Sequence, residues 1–196
     1  MNAPYTKLVE ADYQEAAQKL GCSIAAVKAV AHVESAGSGF LPDGRPTILY
    51  EAHVFYRLTK GRFPAALDRF GVPLAVPRWN RSLYGASGAH QYTRLEDAKA
   101  LAPDEAQMSC SWGIFQVMGF NWGMLRYNSL GDFLHCMLSA SGQLDGFVRF
   151  IRINGLAKPL IDLNWAEFAR RYNGPDYAKN AYDAKMAAAY TTFARK

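Results

Sequence analysis

The sequence predicts an α+β fold that is mainly α-helical, with one small β-hairpin or sheet at about residues 40–57. Apolar residues recur at helical spacing over most of the chain. The β-prone pattern is confined to Thr47-Ile48-Leu49-Tyr50-Glu51, behind the turn-rich run Phe40-Leu41-Pro42-Asp43-Gly44-Arg45-Pro46. Neither an internal repeat nor a linker-like tract divides the 196 residues, so one domain is expected over 1–196.

In chain order, Glu10 to Leu20 reads as a helix stopped by Gly21, and Ser23 is the N-cap of a second helix that runs into Glu34. Gly37, Ser38 and Gly39 break that helix, and the turn and strand follow. Residues 58–91, with Pro64, Pro73, Pro77 and several glycines, read as loops and short helices carrying Trp79 and Tyr84, the wall of a cleft. Thr93-Arg94-Leu95-Glu96 matches a capping box ahead of Ala98 and Leu101. Residues 109–118 read as a short apolar helix. Ser129 opens another through Leu138, and further helices are expected at about 144–153 and 165–172. Pro175 suits the first turn of a final helix reaching about Phe193.

Half the residues are hydrophobic and no tract is of low complexity, which excludes a disordered chain. No apolar run approaches the roughly 18 residues of a membrane span, and Met1–Lys7 holds no signal core, so neither stable membrane insertion nor export is expected. Cys22, Cys110 and Cys136 are odd in number and lack metal-ligand spacing, which points to buried free thiols and to no metal or other cofactor. The net charge of +5 favours an anionic partner, but the basic residues are scattered and form no nucleic-acid module, so no nucleic acid is expected.

Glu34 is the residue that points to chemistry. Ile24, Val27, Ala31 and Glu34 fall on one helical face, which places a carboxyl on the side the helix buries. Burial and the negative end of the helix both disfavour its charged form, the environment of a general acid; the bland alternative is an internal ion pair. Glu51 closes the β-prone run, and a second carboxylate facing the first across a cleft is what glycoside hydrolysis uses; alternatively Glu51 pairs with Arg57. Asp43 ranks below it, because Pro42 and Gly44 give it a turn role. Gln116 in an apolar segment, and Tyr172-Asn173 at a helix junction, supply an amide, a phenol and a second amide of the kind a sugar-binding groove holds.

Three segments in this order, Glu34-Ser35, Gly113-Ile114-Phe115-Gln116 and Tyr172-Asn173-Gly174, resemble the lysozyme-like superfamily of lytic transglycosylases and goose-type lysozymes. A closer likeness covers nearly the whole chain. His32 to Phe40, Pro46 to Arg57, Ser111-Trp112-Gly113 and Tyr172-Asn173-Gly174-Pro175 are similar to the N-acetylmuramidase domain of bacteriophage endolysins. This resemblance implies a lysozyme-like fold and hydrolysis of the bond between N-acetylmuramic acid and N-acetylglucosamine in peptidoglycan glycan strands. It carries Glu34 over as catalytic acid and Glu51 as second carboxylate. In the mechanism this suggests, Gln116, Tyr172 and Asn173 are expected to hold N-acetyl and hydroxyl groups, and Tyr50 or Trp79, taken as exposed aromatics, to stack on sugar faces. The implied enzyme is a monomer that waits in the host cytoplasm and acts on the wall after release. Phe115 and Gly174-Pro175 depart from the transglycosylase pattern, and Glu51 favours hydrolysis over the transglycosylase reaction. A non-catalytic cationic wall-binding or membrane-active protein is the alternative from another class.

Overall fold

The computed structural model describes residues 6–34 and 39–195. Helix α1 (Glu10–Leu20) ends on Gly21 in the left-handed conformation, and α2 (Ile24–Glu34) starts where the Ser23 Oγ accepts the Ala26 N–H at 3.1 Å. Ala26, Val27, Ala29, Val30 and Ala31 of α2 are each no more than 3 % exposed. A helix apolar almost all round belongs in the centre of a fold. Accordingly, α2 packs between α1 and the last helix, α10 (Tyr182–Ala194). Burying Val27 and Val30 contributes on the order of 3 kcal/mol, enough to offset the roughly 1–3 kcal/mol cost of a polar group at its end. Gly37 and Ser38, expected with Gly39 to stop this helix, lie outside the described residues, as does Ser35 of the Glu34-Ser35 motif.

The sheet has three antiparallel strands, β1 (Ile48–Tyr50), β2 (Cys110–Trp112) and β3 (Val117–Met118), in that order. Ile48 pairs with Trp112 and Tyr50 with Cys110, while Ser111 stands opposite Met118. The β element is therefore not a hairpin within 40–57. Phe40 and Pro46 do bridge around a local turn, but the partner of β1 arrives some sixty residues later. The hairpin instead occupies 109–118, where a helix was expected. Cys110, Ser111 and Trp112 are all buried, so the segment shows no alternation, and an unbroken apolar run reads alike as a buried strand or a helix.

Other boundaries moved for local reasons. Helix α3 (Ala52–Leu58) follows β1 directly, inside the region read as β. Helix α4 (Ala89–Lys99) begins after Gly88, which leaves Thr93 to Glu96 in mid-helix instead of at a capping box. Helices α5 (Pro103–Met108) and α8 (Ala157–Ile161) were not foreseen. Ser129 caps α6 (Leu130–Cys136) as expected, whereas α7 (Ala140–Ile153) starts from a Ser139 cap, earlier than read. Asn164 caps α9 (Trp165–Asn173). The expected final helix is a 3₁₀ turn, Pro175–Asn180, and α10, separated by Ala181 at φ 51°. Among the described residues no helix is long and apolar enough to cross a membrane.

The stretch between α3 and α4 contains little regular structure and is held by buried polar groups. Arg94 of α4 is fully buried; its Nε pairs with Asp68 at 3.0 Å, and its other nitrogens donate to the Leu83 and Pro73 carbonyls. Gln91, one turn earlier, accepts the Tyr50 N–H and donates to the Tyr84 and Ala86 carbonyls. These bonds tie the loop to β1. Removing one member of a buried pair strands the other charge, so Arg94→Leu is expected to lower the unfolding free energy by about 3–5 kcal/mol in urea denaturation at neutral pH. A loss within experimental error would show that the pair does not clamp the loop.

Candidate active site

Glu34 ends α2 half-buried, and the Asn173 Nδ2 at the end of α9 donates to its Oε1 at 3.0 Å. Among the described residues no Lys, Arg or His lies within ion-pair distance of it, so none of them forms the internal salt bridge with it. Burial raises its pKa above the ordinary carboxylate range, and the Asn173 bond only partly opposes this. The Asn173 Oδ1 is buried without a hydrogen-bond partner. An amide at this position can serve either state of Glu34: Nδ2 donates to the carboxylate, and after a half-turn of the amide Oδ1 can accept from the carboxylic acid.

Tyr172 sets Asn173 in place. Its ring stacks on Phe168 and meets Phe147 and Phe150 edge-on, and its hydroxyl donates to the Phe115 carbonyl at 3.4 Å. Burial, then the charge of Glu34, pushes its pKa far above the usual phenol range, so it is a neutral donor. Tyr172 is partly buried, and its hydroxyl, expected to hold a sugar, is engaged by the Phe115 carbonyl instead.

Phe115 lies in the turn of the β2–β3 hairpin, which needs a particular backbone. Gly113 has φ 72°, and a Cβ there would sit 2.4 Å from the Gln143 side chain. Gln116 also takes a left-handed φ of 48°. Its exposed amide closes the turn, accepting from the Ser111 hydroxyl at 2.7 Å and donating to the Gly113 carbonyl at 2.8 Å. Buried Gln143 of α7 accepts the Ile114 N–H and donates to the Met137 and Gly39 carbonyls, so it pins the turn beside the chain that follows α2. Gln143 was missed; the available signal was an amide flanked by Leu144 and Phe147 on the buried face of α7.

Glu51 forms a second cluster. It sits at the N-cap position of α3, where its side chain, 14 % exposed, caps nothing. It instead accepts the Tyr84 hydroxyl at 2.8–2.9 Å and lies 3.2 Å from His53 Nδ1. Burial and the bond to Glu51 push the Tyr84 phenol up to about 12, so it remains a donor at neutral pH. Its oxygen also accepts the Trp79 indole N–H at 2.6 Å. Arg57 lies over Phe120 instead of pairing with Glu51, and Asp43 is taken by Arg45 in an exposed turn that holds its pKa below the usual range. The roles of Tyr84 and His53 were not legible, since each meets Glu51 only through the folded loop and the α3 turn.

Tyr50 is corrected outright. It is fully buried, donates to the Leu74 carbonyl at 2.8 Å and lies beneath Arg94, so no face is open to a sugar. Strand alternation explains this, because Ile48 and Tyr50 face the core while Thr47, Leu49 and Glu51 share the half-open face. Thr47 and Glu51 bound the β1–β2 ladder through Gly113 N–H to Thr47 and Glu51 N–H to Ser109, about 13 Å apart along the strand. The turn tied to Tyr172 thus sits at one end of this face and Glu51 at the other. Trp79, 59 % exposed, presents an open ring beside the Glu51 end.

The three thiols are free, and burial raises all of them, Cys22 to about 11. Among the described residues no three His, Cys, Asp or Glu side chains gather as a metal site would need.

The family model of N-acetylmuramidase, named Muramidase, matches residues 23–194. Among solved structures, the endolysin of Burkholderia AP3 phage is similar at 39 % identity and a TM-score of 0.88, over 100 % of this chain and 73 % of that one. No curated protein matches the chain.

Because Glu34 ionises at a higher pH in the folded chain than in the unfolded one, the stability its proton confers is full below the ordinary carboxylate range and fades as pH rises through the folded value. Glu34→Gln keeps an acceptor for Asn173 and removes this loss. Thermal melts are expected to show the variant gaining on wild type between pH 4 and pH 8; a gain that shrinks with rising pH would contradict the raised ionisation.

Proposed function

This chain belongs to the N-acetylmuramidase family and hydrolyses peptidoglycan, and we propose that Glu34 is its general acid and Glu51 its second carboxylate. The observation that carries the proposal is the environment of Glu34: half-buried, without a cation among the described residues, and held by the amide of Asn173. Such a carboxyl is protonated where ordinary ones are not. It gives its proton to the glycosidic oxygen between N-acetylmuramic acid and N-acetylglucosamine, as positive charge builds at the anomeric carbon. Asn173 then stabilises the carboxylate that remains.

Glu51 meets that positive charge. The hydroxyl of Tyr84 fixes its carboxylate in one orientation, and a fixed negative group stabilises a developing cation without reorganising. The half-open face of the sheet forms the floor for the sugars. Gln116 retains one amide N–H for an N-acetyl or hydroxyl group at one end of it, and Trp79 offers a ring to a sugar face at the other. The likeness to a phage endolysin supports a wall-directed enzyme; that it acts as a monomer and waits in the host cytoplasm until the inner membrane opens is part of the same proposal.

On purified sacculi, Glu34→Gln is expected to lower the rate by about 10² to 10⁴-fold with the melting temperature retained, the range general acid catalysis spans. Glu51→Gln is expected to lose a comparable factor, and the wild-type products to carry reducing ends. Near wild-type release by either variant removes that residue from its role, while 1,6-anhydro ends would make the reaction a transglycosylation. Asn173→Ala removes the donor that favours ionised Glu34, so the alkaline limb of the pH–rate profile should move to higher pH. A limb unmoved or shifted downward would show that Asn173 does not set the proton affinity of Glu34.

A further inference from the structure

On a face that none of the residues around Glu34 or Glu51 lines, α1, α7 and the Leu125-Arg126 turn enclose a groove of about 580 Å³. Four cations surround it, Lys19, Arg126, Arg149 and Arg152, against the single carboxylate of Asp145. Two of the four are committed. Lys19 pairs with Glu15 and Asp145, and Arg149 donates to Asp145 and to the Leu125 and Arg126 carbonyls while lying over the Tyr127 ring. Arg126 and Arg152 are exposed, and neither side chain has a hydrogen-bond or ionic partner among the described residues. Arg152 follows Arg149 by three positions, which places both on one face of α7. Arg126 has a left-handed φ of 61°, unfavourable for a residue with a Cβ; the two bonds from Arg149 to the turn hold it.

The floor is apolar. Leu125 and Val148, no more than 2 % exposed, underlie the groove, and Ile153, 38 % exposed, is the apolar side chain that opens on it. Exposed Met124 adjoins Leu125, and exposed Leu138 borders a neighbouring cavity of about 530 Å³ that shares Lys19 and Asp145. A soluble polyanion needs only the cations. Guanidinium groups beside exposed Ile153 suit a ligand with a phosphate next to an apolar part, because the fork of an arginine matches phosphate oxygens and the open face of Ile153 gains from burial.

We propose that this groove binds the phosphate headgroups of an anionic lipid surface, with Arg126 and Arg152 as the phosphate ligands, and docks the enzyme on a membrane without inserting it. The site is separate from catalysis, and it holds whichever carboxylates perform the hydrolysis.

Flotation with vesicles of phosphatidylcholine, with and without phosphatidylglycerol, tests it. The double variant Arg126→Asn, Arg152→Gln suits the fold, since asparagine tolerates the left-handed backbone and glutamine a helix. Lys7→Ala, Arg195→Ala removes the same charge from exposed positions elsewhere. Wild type is expected to float only with phosphatidylglycerol. The groove variant should lose about tenfold or more of that partition, and the control less than about twofold. Both should release sugar from sacculi at the wild-type rate, with unchanged melting temperatures.

Equal losses in the two variants would reduce the effect to net charge and overturn the groove. Absence of wild-type flotation overturns the proposal, and binding to soluble polyphosphate that only the groove variant loses would then make the site one for a polymer instead. A hydrolysis defect in the groove variant would contradict the separation of the two sites.

Discussion

A carboxyl at the end of a helix that is apolar almost all round must be accommodated by something other than water, and in this chain the Asn173 amide does so. That one bond requires three distant pieces of chain to converge. Helix α2 supplies Glu34, α9 ends at Asn173, and the β2–β3 turn gives the Phe115 carbonyl that anchors Tyr172. The aromatic stack of Tyr172 with Phe147, Phe150 and Phe168 makes the geometry rigid, since each ring pair adds about 0.5–1.5 kcal/mol beyond its buried area. A neutral amide suits this place better than a cation. An arginine here would hold Glu34 ionised, whereas an amide tolerates both of its protonation states.

Glu51 has the opposite surroundings. Tyr84 and His53 approach it within hydrogen-bond reach, and the loop that brings Tyr84 is pinned by Gln91 and by the buried Arg94–Asp68 pair. The fold of the loop and the position of Glu51 are coupled through those buried polar groups. A long irregular segment has few backbone partners of its own, so its carbonyls at Leu83, Pro73, Tyr84 and Ala86 are satisfied by side chains reaching out of α4. The two carboxyls are thus held by different kinds of partner, an amide at Glu34 and a phenol with an imidazole at Glu51. The cationic groove lies elsewhere, built on α1 and α7, so attraction to an anionic surface need not compete with the glycan for the same residues.

The sequence by itself determined the features that depend on neighbours along the chain. The α1 and α2 boundaries followed from Gly21 and Ser23, the α6 helix from its Ser129 cap, the α9 helix from apolar periodicity, and Glu34 stood out because helical spacing alone placed it on a buried face. Motif order was enough to indicate the N-acetylmuramidase family. Tertiary structure decided whatever rests on pairing across distance. The 109–118 segment became a hairpin because β1 offers it a ladder and Gln143 fills the space beside Gly113. Tyr50 went inward because alternation along β1 left Glu51 on the open face. Tyr84, His53 and Gln143 stayed hidden, since a hydrogen bond between residues far apart in sequence leaves no periodic trace, and only the closed fold selects which of many polar side chains will meet.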